Sequence, residues 1–390
     1  MLLRLLDLRY LPDFILLTGV ILVQAAGAGW LLWGSRPVRA SRVRWSIIAG
    51  TVISTIALML GFLLRFARVN RYFHPGWAEW GRGAIFTWAF VSVFLMAAVL
   101  ISRRWLQVQS GYSPSRRAFL RTSQAVLLAT PPIVTGYGVF IQRVNISLRE
   151  QDLKFPGLPK ELDGLRIAQL TDIHLSPFLS ERELARAIDM ANETRPHLAL
   201  VTGDLISTAQ DPLDDCLRQL ARLRADSGVF GCLGNHEIYA NAEDYVEKQG
   251  GHLGMRFLRT RAERLQFGGA TLNLVGVDYQ PSRKPYLVGA DRLIDPASFN
   301  VLLSHNPDVF PVAARQGYNL TIAGHTHGGQ VRVEILRQDV NVARFFTPYV
   351  DGLYRRGDAA IFVSRGIGTI ALPARIGAPP EVNLLRLCRG

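Results

Sequence analysis

Long apolar runs fill the first third of the chain, and short ones recur through the rest. Residues 14–33, 45–64 and 83–101 are uncharged and apolar, while 123–142 is uncharged but interrupted by Thr130-Pro131-Pro132. Each has about the 20 residues that a helix needs to cross a hydrocarbon core. The pattern predicts a transmembrane region over 1–145 with about four helices, the fourth broken at its prolines. None of the four runs contains an Asp, Glu, Lys, Arg or His. Intramembrane charge marks ion and substrate paths, so the region reads as an anchor.

From about Leu158 the apolar runs shorten. Those at 167–170, 198–201, 229–233, 301–303 and 320–323 have strand length. Residues 181–192 and 212–223 read as helices, the first with an acidic opening turn and the second with Asp211 as N-cap ahead of Pro212. Gly268-Gly269 joins two strand-like runs between 264 and 278 as a hairpin, and 360–363 and 382–387 are further strands. This alternation predicts a layered α/β domain over 158–390, joined to the anchor by a linker at 146–157.

Charge sharpens the division. The net charge of the chain is +13, which by itself suggests a nucleic-acid partner. Residues 1–150, however, hold 17 Arg and no Lys against four acidic residues, whereas 151–390 hold 27 basic and 27 acidic residues. A nucleic-acid footprint belongs on the domain that carries the chemistry, so such a partner is not expected. The arginines instead report topology. Arg36, Arg39, Arg42 and Arg44 follow the first run, and Arg103, Arg104, Arg116, Arg117 and Arg121 follow the third, which puts both loops in the cytoplasm. Arg65, Arg68, Arg71 and Arg82 lie in the intervening loop and reduce the contrast; the first three meet anionic lipid or snorkel at helix ends. Four spans export the α/β domain. Ser115-Arg116-Arg117-Ala118-Phe119-Leu120-Arg121 reads as a twin-arginine export signal or as the basic flank of the fourth span. Both readings leave the domain outside, and without a small-residue cleavage site the segment stays as an anchor. Cys216, Cys232 and Cys388 have neither metal-ligand spacing nor the even count of a disulfide framework.

The candidate chemistry sits where the short runs end. Thr171-Asp172-Ile173-His174, Gly203-Asp204, Gly234-Asn235-His236-Glu237, Ser304-His305 and Gly324-His325-Thr326-His327 each follow one of the five strands. Alternation along a strand points the outer residues of Asp172-x-His174 and of His325-x-His327 the same way. Parallel strands also gather their carboxyl ends on one edge, where ligands collect. Asp172, His174, Asp204, Asn235, His305, His325 and His327 are thus candidate metal ligands. They comprise two carboxylates, one amide oxygen and four imidazoles, a mixed set without thiolate that suits Mn, Fe or Zn. Two divalent ions there activate water and neutralise a phosphoryl group, leaving a net charge of about +2 over the two carboxylates. His236 follows Asn235 directly and is expected to point elsewhere, where it stabilises phosphoryl oxygens or protonates the leaving group. Tyr239 and Asn241 line the cleft or pack, and Arg365 reaches a phosphate or forms a structural pair. His74, His197 and His252 stand outside the motifs and read as structural.

This ordered motif set resembles the calcineurin-like metallophosphoesterase superfamily, over about residues 158–390. The longer strings Gly324-His325-Thr326-His327-Gly328-Gly329-Gln330, Ser364-Arg365-Gly366-Ile367-Gly368 and Pro379-Pro380-Glu381 are similar to a bacterial membrane-associated branch of envelope phosphohydrolases that includes enzymes acting on UDP-diacylglucosamine. The resemblance implies a four-layer α/β/β/α sandwich, preceded here by the α-helical transmembrane region. One metal would be held by Asp172, His174 and His327, the other by Asn235, His305 and His325, with Asp204 bridging and His236 in the catalytic histidine's place. It implies an integral protein of a bacterial inner or plasma membrane that hydrolyses phosphate ester or pyrophosphate bonds in a lipid-linked or envelope substrate. The sequence departs from the family at Ser207, where Gly-Asp-x-x-Asp has its second aspartate, the residue that supports the catalytic histidine. A serine lacks the charge to stabilise an imidazolium. The alternatives are a metal-binding receptor or scaffold with little turnover, and a nuclease using the same metals.

Overall fold

The structure, a computed structural model, describes residues 11–33, 40–63, 75–107, 113–281, 285–335 and 338–390. Arg36, Arg39, Arg65, Arg68, Arg71 and His74, named above, lie outside them. The amino-terminal part is helical: α1 (Leu11–Trp33), α2 (Ala40–Leu63), α3 (Pro75–Gln107) and α4 (Pro114–Phe140). The stretches Arg44–Gly61, Glu79–Ser102 and Pro114–Val144 are long and apolar enough to cross a membrane, and Leu17–Leu32 is a shorter apolar stretch. Gln24 donates to Ser92 Oγ at 2.6 Å and accepts from Ser54 Oγ at 2.8 Å, while Trp88 Nε1 donates to Ser54 Oγ at 2.7 Å. This polar cluster ties α1, α2 and α3 together, as interhelical hydrogen bonds do between apolar helices. The prolines do not break the fourth helix. α4 runs through Pro131 and Pro132, which deprives the carbonyls of Leu127 and Leu128 of their usual donors. Membrane helices tolerate this where neighbouring groups or local adjustments satisfy the freed carbonyls.

The rest of the chain builds two six-stranded sheets. The first has the order β1-β14-β2-β3-β4-β5, with β1 Ser147–Phe155, β2 Arg166–Leu170, β3 Leu198–Thr202, β4 Val229–Cys232, β5 Met255–Phe257 and β14 Glu381–Arg389. The second has the order β12-β13-β9-β8-β7-β6, with β6 Arg261–Phe267, β7 Ala270–Gly276, β8 Phe299–Leu303, β9 Leu320–Ala323, β12 Gly352–Arg356 and β13 Ala359–Val363. β10 (Arg332–Ile335) and β11 (Gln338–Asn341) form a separate hairpin. Residues 146–157, expected as a linker, hold the edge strand β1, which pairs in parallel with β14 along nine residues. Its polar residues hid it: only Leu153 and Phe155 are buried.

Side-chain alternation makes the layers. In β2 and β3, Ile167, Leu198 and Leu200 face the second sheet, whose Leu272, Val301, Leu303, Leu320 and Ile322 meet them in one core. Ala168, Leu170, Ala199 and Val201 face the opposite way, onto helices α5 (Glu181–Glu193), α6 (Leu213–Leu220) and α8 (Glu243–His252). Helix α9 (Phe310–Gln316) covers the outer face of the second sheet through Phe310 and Ala313. The result is the α/β/β/α arrangement. Strands β2, β3 and β4 are mutually parallel, as are β7, β8, β9 and β13. Their carboxyl ends carry the motifs.

Candidate metal centre

The motif residues begin just beyond the strands, and backbone conformation rather than strand alternation aims them. Asp172, His174, Asp204, His325 and His327 all have left-handed φ, at 48°, 47°, 55°, 77° and 52°. Residues other than glycine avoid this region, and each such residue costs on the order of 1–3 kcal/mol. Asp172 and His174, expected to share a direction by strand pleating, meet in one group through two left-handed residues spaced two apart, whereas His325 and His327, also both left-handed, fall in different groups. Close approach of the loops explains the glycines that precede them: a Cβ on Gly234 would collide with the Asp204 carboxylate, and one on Gly324 with that of Asp172.

The structure brings the candidates together in three groups, each with its ligand atoms within 4.8 Å of one another: Asp172, His174 and His327; His174, Asp204 and His236; Asp204, His305 and His325. The last two share Asp204, the residue the resemblance gives as the bridge. His236 differs from expectation. It and Asn235 open the short helix α7 (Asn235–Ala240), where successive side chains diverge by about 100° rather than 180°, and its ring lies 4.7 Å from that of His174. Asn235 is buried in the same loop, and its Oδ1 has no hydrogen-bond partner.

Three buried atoms are orphaned in this cluster: Nε2 of His174, Nε2 of His305 and Oδ1 of Asn235. Buried polar atoms are normally satisfied, so three together call for an electrophile. His305 states this most clearly. Its Nδ1–H donates to the Thr202 carbonyl at 2.7 Å, which aims Nε2 at Asp204 Oδ2, 3.0 Å away. Without a metal, Asp204 draws a proton onto that nitrogen; a cation between the two atoms would take the proton's place and have the neutral imidazole as a ligand. The residues therefore fit divalent metal ions.

Electrostatics follow from burial. Desolvation, followed by the neighbouring His236, pulls His174 down to about 3. Desolvation and His305 pull His325 down to about 4, and His327 is also held well below the usual range by burial, His174 and Arg375. Burial lifts the Asp172 carboxyl to about 6 against the pull of His305. Burial alone would lift Asp204 too, but His305 and His236 outweigh it and hold it well below the carboxylate range. His305 behaves oppositely: burial lowers it, Asp204 and Asp172 raise it more, and it ends near 10. With three of the imidazoles neutral, the site is rich in lone pairs.

Supporting residues escaped the sequence reading. Glu237 is fully buried, and its carboxylate accepts the N–H groups of Asp204 (2.9 Å), Leu205 (2.7 Å) and Gly234 (2.7 Å), clamping two motif loops together. It is the third residue of α7 and reaches back to the N–H of the N-cap Gly234, the half of a capping box that a glycine N-cap allows. Arg375 is also fully buried and donates to the carbonyls of His327 and Arg365, both at 2.9 Å, and of Gly368. No periodicity marks it. Burial lowers its guanidinium to about 10. The half-buried ring of Tyr279 lies 5.6 Å from that of His325 and 6.1 Å from that of His305. Tyr239 is exposed, with its ring 5.5 Å from His236, and Asn241 caps α7 with left-handed φ. Arg365 is a structural pair: it donates to Asp351 Oδ2 at 2.9 Å and lies 3.7 Å from Glu381. Asp211 does not cap α6; its carboxylate accepts the N–H groups of Ser207 and Thr208 at 2.8 and 2.7 Å. His197 accepts the Arg166 N–H at 2.9 Å, a structural role.

Residues 165–329 match the family model described as Calcineurin-like phosphoesterase. This match, the fold and the site support a metallophosphoesterase domain, a hydrolase of phosphoric ester bonds, that is similar over these residues to the calcineurin-like superfamily. Among curated relatives, the metallophosphoesterase YkuE of Bacillus subtilis is 28% identical over 279 residues, which are 70% of this chain and 97% of that protein. Phosphodiesterase YaeI of Escherichia coli is 29% identical over 292 residues, 70% of this chain and 99% of that protein. A transmembrane protein with metallophosphoesterase domain from Danio rerio is 26% identical over 283 residues, 68% of this chain and 62% of that protein. The apolar helices and this last relative indicate membrane association of a phosphoesterase domain.

Proposed function

We propose that the chain is a membrane-anchored, dinuclear-metal phosphoesterase that acts on a phosphate ester or pyrophosphate of a lipid-linked or envelope substrate, with its α/β domain outside the cytoplasm. The observation that carries the reading is the trio of orphaned buried atoms on His174, His305 and Asn235 around Asp204. Asp172, His174 and His327 would hold one ion and Asn235, His305 and His325 the other, with Asp204 between them. When bound, such ions supply a lowered water pKa and charge to neutralise the phosphoryl oxygens.

The chain's own groups do the rest. Thr202, through its carbonyl, fixes the tautomer of His305, and the N–H of His325 holds both oxygens of Asp172 at 3.0 Å. His236 donates its Nδ1–H to the Ser207 carbonyl, which turns Nε2 outward as the atom that carries a proton to the leaving oxygen. Burial keeps the Tyr279 phenol protonated, an O–H donor beside His325 for a substrate oxygen. The same geometry speaks against a passive scaffold, because His236 is oriented despite Ser207.

The test is hydrolysis by the purified full chain of an aryl phosphate diester, a lipid phosphate and a nucleotide-lipid, before and after chelation, with manganese, iron or zinc restored. Activity lost on chelation, regained with metal and highest on a lipid-linked ester supports the reading. Metal-independent hydrolysis, or none across the panel, removes it.

A further inference from the structure

We propose that the hairpin β10–β11 and the turn after it form a lipid-contacting lip beside the metal centre, with Phe345 and Phe346 entering the membrane interface. Both are among the most exposed side chains, at 84% and 82%, and Val342, Val340 and Val333 nearby are also exposed. Water penalises such a cluster, which marks a contact surface. Arg344, exposed as well, precedes the pair. Aromatic residues next to a basic one suit the boundary between headgroups and acyl chains.

Chain continuity selects lipid as the occupant. Helix α4, an apolar candidate span, ends at Phe140. Gly138 in its last turn accepts the Arg375 N–H at 3.2 Å, and Gln142, just beyond it, accepts the Gly377 N–H on Oε1 at 2.8 Å. The segment 375–377 in turn pairs with the root of the hairpin, since Arg332 N–H donates to the Ile376 carbonyl at 2.7 Å and Ile376 N–H to the Gln330 carbonyl at 2.9 Å. The residues at the carboxyl end of the candidate span, from Gly138 on, the hairpin root and, through Arg375, the His327 loop are therefore bound side by side. Asn341 completes the link by donating to the Gly328 carbonyl at 2.9 Å, which sets the Val342–Phe345 turn against the metal loop. A cavity of about 230 Å³ lies between His325 and Thr326 on one side and Phe346 and Thr347 on the other. An ester at the metal centre would thus have its apolar part against this lip.

The inference rests on the anchored reading proposed above but not on turnover. Its test uses the full chain, with Cys388→Ser, in vesicles of phosphatidylcholine and phosphatidylglycerol. An environment-sensitive fluorophore is placed at Phe345→Cys, at Phe346→Cys or at Glu193→Cys. Glu193, exposed at the end of α5, marks the sheet edge opposite the metal centre. The expected result is several-fold stronger quenching by nitroxide lipid at 345 and 346 than at 193, with iodide quenching in the reverse order. Equal access of iodide to all three sites overturns the proposal. So does protection at 345 and 346 from both quenchers, which would mean a protein partner or a second copy. Because the readout is optical, failure of the substrate assignment would leave this result interpretable.

Discussion

The Ser207 carbonyl accepts a hydrogen bond from Nδ1–H of His236 at 2.7 Å, while the Ser207 hydroxyl lies 3.0 Å from Nδ1 of His174. One residue thus orients two imidazoles, the first through its backbone and the second through its side chain. Where the family pattern has a carboxylate, this chain uses a carbonyl held in place by Asp211 on the Ser207 N–H. The consequence for mutagenesis is asymmetric. Ser207→Ala keeps the carbonyl and is expected to lower kcat on an aryl phosphate ester less than about 10-fold, whereas His236→Ala lowers it about 10²–10⁴-fold without loss of bound metal. Similar losses in the two variants would contradict this division.

Glu237→Ala is expected to unfold the motif loops before the sheets. It strands three buried N–H groups, each at about 1–3 kcal/mol, so the loss of stability should reach about 3 kcal/mol or more. Denaturant unfolding of the full chain in micelles checks this; a change within about 0.5 kcal/mol, the range of ordinary surface substitutions, would contradict it.

Stability of the chelated protein should fall on the acid side of neutrality. His174 and His325 titrate near 3 and 4 in the fold against a usual 6.5, and His327 is also depressed. A histidine held neutral contributes stability above about pH 6.5 that is lost as pH falls toward its folded value. Asp172, raised from 3.8 to about 6, and Glu237, also raised by burial, have the opposite sign, but they are two groups against three. His305, raised to about 10, contributes below 6.5 and loses its contribution as pH rises toward 10. Tm of the chelated chain should therefore peak near neutral pH and drop by several degrees by about pH 4.5. A Tm that is flat or rises toward acid would contradict this charge assignment.

Much of the fold and site was legible because two signals are local: apolar runs of strand length, and polar motifs immediately after them. The runs at 167–170, 198–201 and 320–323 became β2, β3 and β9 within one residue, and six of the seven candidate ligands, all but Asn235, fall in the His and Asp groups together with His236. What escaped depends on tertiary context. β1 is a strand because β14 lies beside it, with only Leu153 and Phe155 buried. α4 continues through Pro131-Pro132 as one long apolar helix, the kind of helix that tolerates two missing hydrogen bonds when it lies in a membrane. The left-handed φ of Asp172 and His325, and the burial of Arg375 among carbonyls, have no counterpart in spacing or periodicity.

The central claim, that the orphaned atoms around Asp204 are metal ligands, is tested most directly by metal stoichiometry. Elemental analysis of the purified full chain should find about two divalent ions per chain, and about one or fewer in Asp204→Asn, whose amide is a poorer bridge than a carboxylate. A wild-type chain carrying no divalent ion after metal loading, or an Asp204→Asn chain that keeps both, would contradict it.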